Sequence, residues 1–470
     1  MKKILCLIIA FALLLLGCAG SQDTAEVTEK RPGWTVVMPS ETGENLHNGI
    51  QADENFVLDE DEDPENNEAE HTGGDGYNIS GGMDAGSSDS DSAAGISENL
   101  SVEQRREVVA AEMRAMMTLL WTPDRDITYT ITGLSAGSAT VTLKKGTIYQ
   151  GMPYTNGNAS RESFLSYATA QNNGVYTISG LTADSLSGNA VPRIGNSCSS
   201  ALFWAWAKVS NSISFTNTKM MTATYGCLKV GNYTFDGKDY GSNKSADICA
   251  ENGEQVMFAA YAQMQMADGM VRRTGSAGHA IMVVDVKVSY KADGTIDGKN
   301  STATIIDQSE TNELNPTTTN ISGVGEVVIF QTVDKVQTFA QLYKNGYLPV
   351  TCKELVNSSP LQTATVTDCT DSPNVDNMFT GTIQANYRVS SVVVTITDKT
   401  GKTVQQAICY GKPSELYKFN LSRFASASEQ PAIQGEVDVA ALPAGTYQCK
   451  YTCKLSTGDS IMFRQFTIQK

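Results

Sequence analysis

The chain has 470 residues, and its 51 acidic and 35 basic side chains give a formal net charge of −16. The charge is uneven, because 17 of the acidic residues and none of the basic ones fall between Glu41 and Leu100. The remainder, with 34 acidic against 35 basic residues, is close to neutral, which argues against nucleic acid or an acidic substrate as a partner.

The N-terminus carries a short basic region followed by an apolar run. Met1-Lys2-Lys3 precedes a nearly unbroken apolar stretch from Ile4 to Leu16. A membrane-spanning helix needs roughly 20 apolar residues, so this stretch is typical of a cleaved signal peptide. The residues Leu15-Leu16-Gly17-Cys18 resemble the bacterial lipobox, whose cysteine is diacylated and becomes the new N-terminus. The resemblance implies a lipoprotein signal peptide over residues 1–17 and an exported protein anchored to a bacterial membrane through Cys18. An ordinary secretory peptide is the alternative.

Residues 18–100 have the composition of a disordered spacer. The run Asp59-Glu60-Asp61-Glu62-Asp63 and the Gly/Ser/Asp-rich tract from Gly73 to Gly95 contain few large apolar side chains. Such a segment buries too little apolar surface to fold, and its like charges extend it by repulsion. We expect it to lift the folded part away from the membrane. Inert solubilising sequence is the alternative.

The first predicted helix follows this spacer. Ser101-Val102-Glu103-Gln104 fits a capping box, and an apolar stripe from Val108 to Trp121 predicts a helix that Pro123 ends. Mixed helix and strand signals then continue, before a final part with strand and turn signals alone. The ranges 101–360 and 375–470 are therefore predicted to be two domains of an α+β protein.

A candidate nucleophile lies at the start of a second predicted helix. In Asn196-Ser197-Cys198-Ser199-Ser200, Asn196 or Ser197 can cap a helix whose following residues, Ala201 to Trp206, are apolar nearly all round. Cys198 then occupies the first turn, where backbone N–H groups and the helix dipole stabilise a thiolate. The alternatives for Cys198 are a small buried side chain or half of a disulfide.

The chain has three histidines, and His279 is the one that lies outside the acidic spacer. It opens the apolar segment Gly278-His279-Ala280-Ile281-Met282-Val283-Val284, which predicts a buried strand with the imidazole at its mouth. Nucleophilic cysteine catalysis requires an activated thiol, a histidine within hydrogen-bond reach and a group that orients the histidine. A histidine at a strand end with no chemical role is the alternative.

Two polar residues at the end of the next predicted strand, which starts at Ser301, are candidates to orient His279. Asp307 is the first choice because a carboxylate fixes the tautomer of the imidazole and stabilises the imidazolium, and Gln308 is the second. Asp285 is excluded, since six residues along a strand span roughly 20 Å. Strand parity does not separate the two candidates, because both faces of this strand are apolar.

These residues, in this order, resemble the NlpC-type and CHAP-type branches of the papain-like superfamily of bacterial cysteine peptidases and amidases. In that family a cysteine begins a buried helix as Asp-Cys-Ser-Gly, and Ser197-Cys198-Ser199-Ser200 matches the Cys-Ser core. A histidine that opens a strand is matched by Gly278-His279-Ala280, and the polar residue of the next strand by Asp307-Gln308. The family's Pro-Tyr motif is matched by Met152-Pro153-Tyr154. Ser197 stands where the family usually has Asp, and the stretch from Tyr154 to Cys198 is longer than usual.

The resemblance covers roughly residues 145 to 310 and implies a papain-like catalytic domain, with the cysteine helix packed on an antiparallel sheet. It implies hydrolysis of an amide or peptide bond, with cell-wall peptidoglycan as the expected substrate and partner. The site residues that it implies are Cys198, His279, Asp307, Gln308 and Tyr154. Two alternatives are a transglutaminase-like cysteine acyltransferase, which uses the same Cys-His-Asp order, and a catalytically inactive papain-like binding lipoprotein, which the missing Asp favours.

The C-terminal range predicts a different architecture. Alternating runs such as Ser391 to Ile396 and Tyr447 to Tyr451 are separated by turn signals at Lys399-Thr400-Gly401 and Pro443-Ala444-Gly445. Short strands with regular turns are typical of an immunoglobulin-like β-sandwich. We expect it to space the enzyme or dock its substrate, and a purely structural appendage is the alternative.

The sequence contains no Cys/His metal spacing, phosphate loop or dinucleotide fingerprint, so neither a metal nor a cofactor is expected. Of the ten cysteines, Cys6 is expected to leave with the signal peptide and Cys18 to be lipidated. If the candidate nucleophile is a free thiol, at least one of the other seven is unpaired. Cys449 and Cys453 share one strand face, and either is a candidate disulfide partner of Cys409.

Overall fold

The structure is a computed structural model. It describes residues 98–134, 137–155, 158–183, 186, 194–213, 226–235, 245–273, 278–309, 315–370, 372–411, 417–426 and 433–470. All of these residues belong to one compact unit, Leu46–Lys470. The predicted signal peptide, the lipidation site Cys18 and the acidic spacer up to residue 97 lie outside the described residues.

The described residues form a mixture of helices and strands. The α-helices, in chain order, are α1 (Val102–Met117), α2 (Arg161–Leu165), α3 (Cys198–Trp206), α4 (Ser245–Asn252), α5 (Glu254–Tyr261) and α6 (Phe339–Lys344). The strands of the first part are β1 (Leu120–Pro123), β2 (Ile127–Leu134), β3 (Gly137–Leu143), β4 (Ile148–Gln150), β5 (Ala168–Asn172), β6 (Val175–Ile178), β7 (Cys227–Lys229), β8 (Gly269–Arg273), β9 (Gly278–Lys287), β10 (Thr302–Asp307), β11 (Thr317–Ile321), β12 (Gly325–Ile329), β13 (Thr332–Thr338) and β14 (Leu348–Cys352). Those of the last part are β15 (Val366–Asp368), β16 (Thr382–Ala385), β17 (Val389–Thr397), β18 (Thr403–Tyr410), β19 (Lys418–Asn420), β20 (Ile433–Glu436), β21 (Thr446–Leu455) and β22 (Ser460–Gln469).

The strands build several sheets that are mostly antiparallel. Two six-stranded sheets have the orders β11-β12-β4-β1-β6-β5 and β13-β10-β9-β8-β14-β7, and β2 and β3 form a separate hairpin. The pairs β1–β6 and β4–β12 are parallel. After β14 no described residue is in an α-helix, and the remaining strands form two antiparallel sheets, β15-β16-β19 and β20-β18-β17-β21-β22. The predicted α+β class is therefore confirmed. The last part is mainly strands, as predicted, but it also contains two short 3-10 helices, Leu421–Ala425 and Val439–Ala441.

Helix α1 begins as predicted and ends earlier. Its capping box is formed, because Ser101 Oγ accepts from the N–H of Gln104 at 3.2 Å and the Gln104 side chain accepts from the N–H of Ser101 at 2.9 Å. The predicted end at Pro123 is wrong, since the helix stops at Met117. The residues from Leu120 to Pro123 form strand β1 instead, which pairs with β4 and β6. Trp121 in this strand is buried and donates from Nε1 to the carbonyl of Gly151 at 2.9 Å.

Helix α3 is the central helix, as its apolar sequence predicts, because all nine of its residues are buried. It packs on the β13-β10-β9-β8-β14-β7 sheet, with contacts to β9. The approach is close at Gly269, where a Cβ would lie 2.8 Å from a methyl group of Leu202 and 3.0 Å from the ring of Trp206. A side chain at this position would push the helix away from the sheet.

Residues at the ends of two C-terminal strands, Tyr417 before β19 and Ser456 after β21, contact the chain just after α3. Ser456 Oγ donates to the carbonyl of Ala207 at 2.6 Å. The hydroxyl of Tyr417 lies 3.2 Å from the carbonyl oxygen of Asn211 and 2.7 Å from that of Ile213. Side chains of the last part of the chain therefore satisfy backbone acceptors that follow the central helix.

The register of the five-stranded sheet excludes the predicted pairings of Cys409. Cys409 on β18 and Cys453 on β21 both lie opposite Val392, on the two sides of β17. Two strand spacings are roughly 9–10 Å, beyond the reach of a disulfide, and Cys449 is displaced further along β21. Both pairings are wrong, because an intervening strand cannot be read from the spacing of cysteines.

Within the residues that the structure describes, none of the helices combines the length and the apolar character needed to span a bilayer.

Candidate active site

Cys198 is the first residue of α3, directly after the N-cap residue Ser197. Ser197 has an extended backbone, with φ −90° and ψ 173°, and its N–H donates to Ser200 Oγ at 2.8 Å. The N–H groups of the first helical turn have no acceptor within the helix, and the positive end of the helix dipole lies there. The start of α3 therefore favours a thiolate, and also an oxyanion that forms beside it. Cys198 is buried.

The predicted site residue Tyr154 lies beside the segment that leads into Cys198. Tyr154 and Asn196 form a parallel β-bridge, flanked by hydrogen bonds from Asn196 N to Pro153 O and from Thr155 N to Asn196 O, both 3.2 Å. The long stretch of sequence between Tyr154 and Cys198 thus closes on itself. Tyr154 is buried next to the start of α3.

Gly195 makes this close pairing possible. It has a φ of +93°, a conformation that side chains rarely adopt, and a Cβ there would collide with the carbonyl oxygen of Pro153. The glycine before Asn196 is therefore required twice, for its backbone angle and for the missing side chain.

His279 lies at the second position of β9, and its ring is bonded to Asp307 at the end of β10. His279 Nε2 lies 2.8 Å from Asp307 Oδ1, and both side chains are less than one tenth exposed. The two residues therefore form a buried ion pair or charge-assisted hydrogen bond. Of the two candidates for the orienting group, Asp307 is the one that touches the imidazole.

Asp307 has a second cationic neighbour that the sequence analysis missed. Lys335 Nζ on β13 lies 3.4 Å from Asp307 Oδ2, and its side chain is one third exposed. Burial alone would raise the pKa of the Asp307 carboxyl, but the charges of His279 and Lys335 outweigh it and hold that pKa well below its usual range. Asp307 is thus a permanent carboxylate at ordinary pH.

Gln308 occupies a different position, between the two segments that approach Cys198. Its Nε2 donates to the carbonyl of Asn196 at 3.0 Å and to that of Met152 at 3.3 Å. Because Gln308 follows Asp307 and Asn196 comes two residues before Cys198, this side chain ties the acid strand to the start of the cysteine helix. At the other end of α3, Leu202 and Trp206 lie against Gly269.

The second ring nitrogen of His279 is available for chemistry. Nδ1 is buried and makes no hydrogen bond to any described residue. A ring nitrogen held by a carboxylate carries the proton, which leaves the lone pair of the other nitrogen free to accept one. The ring also meets Tyr347 edge-on, with centroids 6.5 Å apart, and lies opposite Arg272 in the β8–β9 ladder.

Three neighbours of the His279–Asp307 pair could not be predicted from the sequence: Lys335, Arg272 and Tyr347. None of them belongs to a motif, and all come from neighbouring strands or loops. Asn196 is also part of the site. Its side-chain Oδ1 is buried without a hydrogen bond to a described residue, and its role as a helix cap falls to Ser197.

No group of three or more metal-ligating side chains occurs among the described residues. No protein-family model and no curated protein matches the chain. The geometry of the site provides a thiol at a helix start, an imidazole held by a carboxylate, and backbone N–H donors in the first turn of α3.

Proposed function

We propose that the protein is a cysteine hydrolase that cleaves an amide or peptide bond with Cys198, His279 and Asp307. The observation that carries the proposal is the buried 2.8 Å contact between His279 Nε2 and Asp307 Oδ1. Gln308, the residue after Asp307, is hydrogen-bonded to Asn196, two residues before Cys198 at the start of α3. The carboxylate engages one ring nitrogen and leaves the other for the thiol. This is the arrangement that nucleophilic cysteine catalysis requires.

The residues have separate roles in the proposed reaction. The thiolate of Cys198 attacks the carbonyl carbon, and the oxyanion that forms is stabilised by N–H groups at the start of α3. The C–N bond breaks as His279 gives its Nδ1 proton to the leaving amine, which leaves a thioester on Cys198. Water then attacks the thioester while His279 takes up its proton, and the acid is released. Asp307 keeps the ring oriented and stabilises its charged form.

The proposal includes a papain-like fold for the catalytic domain and an immunoglobulin-like fold for the C-terminal part. A central helix that begins with the cysteine and packs on an antiparallel sheet carrying the histidine and the acid supports a papain-like domain. The two antiparallel sheets after residue 360 support an immunoglobulin-like sandwich, whose proposed job is spacing or substrate docking. Gln308 and Tyr154 are positioning residues in this proposal, because both brace the chain that leads into Cys198.

The decisive experiment tests the full chain on purified cell-wall peptidoglycan and on a protein substrate, with release of free amines as the readout. Cys198→Ala should lower turnover by at least about 10³-fold, because no other group forms the covalent intermediate. Cys249→Ala is the matched control, since it removes a buried thiol from α4 and should leave turnover near the wild-type value.

Unchanged hydrolysis by Cys198→Ala would sink the cysteine mechanism. Joining of an added amine to the substrate, in place of hydrolysis, would make the protein a transglutaminase-like acyltransferase. A chain that does neither, and in which Cys198 reacts with iodoacetamide more slowly than the exposed Cys369, would be a binding protein.

We also propose that the enzyme works outside the cytoplasm, anchored to a bacterial membrane by lipidated Cys18, with peptidoglycan as its substrate. The apolar N-terminal run and the lipobox-like residues before Cys18 support this. Cys18→Ser should move the protein from washed membranes into the soluble fraction, as measured by immunoblotting. Retention of the variant in the membranes would contradict the lipid anchor.

A further inference from the structure

Two buried cysteines face each other at the edge of the sheet that carries His279 and Asp307. Cys227 is the first residue of β7 and Cys352 is the last residue of β14, and the antiparallel register places them directly opposite each other. Their exposures are 1% and 0%. Both are thiols in this structure.

The hydrogen bonding of β7 and β14 shows that this is a close pair. One residue beyond the paired strands, Val230 N donates to Pro349 O at 3.0 Å, so those two residues occupy a hydrogen-bonded position. Hydrogen-bonded and non-bonded positions alternate along an antiparallel ladder. Cys227 and Cys352 lie three steps further, at a non-bonded position, where the Cα atoms are about 4.5 Å apart and the side chains approach most closely. Disulfides span Cα distances of about 4.4–6.8 Å.

The other cysteines are less well placed. Cys249 on α4 is also buried, but its thiol lies 3.7 Å from the carbonyl oxygen of Tyr347, to which it donates. The remaining described cysteines outside the candidate active site lie on the C-terminal strands or, in the case of Cys369, directly after β15. Cys227 and Cys352 are thus the pair that the backbone has already brought together.

We propose that Cys227 and Cys352 form a cross-strand disulfide in the mature protein. The two thiols lose two protons and two electrons as the S–S bond forms, and an external disulfide accepts them and is reduced to two thiols. The cross-link would close the chain from 227 to 352, which includes both His279 and Asp307. It would hold the edge strand β7 to its neighbour β14, and this role does not depend on the proposed hydrolase activity.

The burial of the pair determines when the bond can form. Burial raises the pKa of both thiols, so little thiolate is present once the strands have paired. The two thiols should therefore be oxidised during folding, before the pairing of β7 and β14 has buried them. Once formed, the bond should resist reduction until the protein unfolds.

The test refolds the reduced full chain in a mixture of glutathione and glutathione disulfide, then unfolds it in urea with excess iodoacetamide. Peptide mass spectrometry should find Cys227 linked to Cys352 and Cys249 alkylated. The melting temperature of the oxidised chain should exceed that of the reduced chain by about 5 °C or more, because the cross-link restricts the unfolded state. Chain taken from the membrane fraction of cells, alkylated before lysis, should carry the same linked peptide.

Two variants complete the test. The double variant Cys227→Ala/Cys352→Ala should have a melting temperature that does not respond to the oxidant, whereas the control Cys249→Ala should keep both the linked peptide and the response. Alkylation of Cys227 and Cys352 in the refolded wild-type chain would overturn the proposal. So would a linked peptide that joins either of them to a third cysteine.

Discussion

Asp307 is the side chain that holds the imidazole of His279 in place. It accepts a hydrogen bond from His279 Nε2 with one oxygen and lies near Lys335 Nζ with the other. A carboxylate held on both sides has little freedom to rotate, so the imidazole plane is fixed as well. Gln308, one residue further, donates from its amide to two backbone carbonyls instead.

Asp307→Asn should lower turnover by about 10²–10⁴-fold while leaving the circular dichroism spectrum unchanged, because the amide supports neither the tautomer nor the charge of the imidazole. Gln308→Ala is the comparison. It should lower the melting temperature, since buried carbonyls lose their donor, and reduce turnover less than Asp307→Asn does. Full activity in Asp307→Asn together with loss in Gln308→Ala would transfer the orienting role to Gln308.

The same carboxyl group should govern part of the acid sensitivity of the fold. Its pKa is lowered in the folded state, so the stability it contributes is complete above the unfolded pKa of about 3.9 and is lost as the pH falls below that value. Between pH 5 and pH 3 the wild-type chain should therefore lose more free energy of unfolding than Asp307→Asn does. Urea unfolding at each pH measures this, and parallel curves for the two proteins would rule it out.

The short pairing of residues 153–155 with residues 194–196 positions Cys198, the proposed nucleophile, and Gly195 is the least replaceable part of this pairing. Gly195→Ala should destabilise the protein by about 2 kcal/mol or more, because the methyl group adds a clash with Pro153 O to an unfavourable backbone angle. Turnover should fall with it, since any relief of the clash moves the start of α3. Urea unfolding and amine release provide the two readouts.

Gly174→Ala is the matched control for that prediction. Gly174 has a φ of +78°, and a Cβ there would have nothing within 4 Å. Its replacement should cost only the backbone preference, about 1 kcal/mol, and leave turnover unchanged. Equal losses of stability in the two variants would show that the contact with Pro153 is unimportant.

Local patterns were sufficient to predict the elements that carry the thiol and the imidazole. Cys198 begins α3 and His279 opens β9 as predicted, because caps, apolar runs and β-branched strands are properties of neighbouring residues. The predicted end of α1 at Pro123 was wrong because it depended on distant residues. There the pairing of β1 with two other strands decided the structure, and such partners are distant in sequence.

The choice between Asp307 and Gln308 could not be made from sequence for a similar reason. A bulge shifts the register of β10 against β9, so that Thr304 lies opposite Asp285 but Ile305 lies opposite Val283. A shift of one residue exchanges the faces on which the following side chains lie, and nothing in an apolar strand marks its position. Lys335 was missed because it reaches Asp307 from β13, which lies on the other side of β10.

The contacts between the C-terminal part and the chain after α3 should contribute to the stability of the whole molecule. Tyr417→Phe removes the donor that serves the carbonyls of Asn211 and Ile213, and should lower the free energy of unfolding by about 1–2 kcal/mol. Tyr290→Phe, at a side chain that is 66% exposed, should change it very little. Calorimetry measures the stability of both variants. Equal melting temperatures would mean that the Tyr417 contact does not stabilise the C-terminal part against the chain after α3.

The hydrogen bond from Ser456 to Ala207 bears on how the protein can be re-engineered. Ala207 directly follows the helix that begins with Cys198, so its carbonyl receives its donor from the turn between β21 and β22, more than two hundred residues away. A chimera that transplants residues 101–360 onto another anchor would leave that acceptor, and those of Asn211 and Ile213, facing water. The smallest portable unit of the proposed hydrolase should therefore extend to the end of β22.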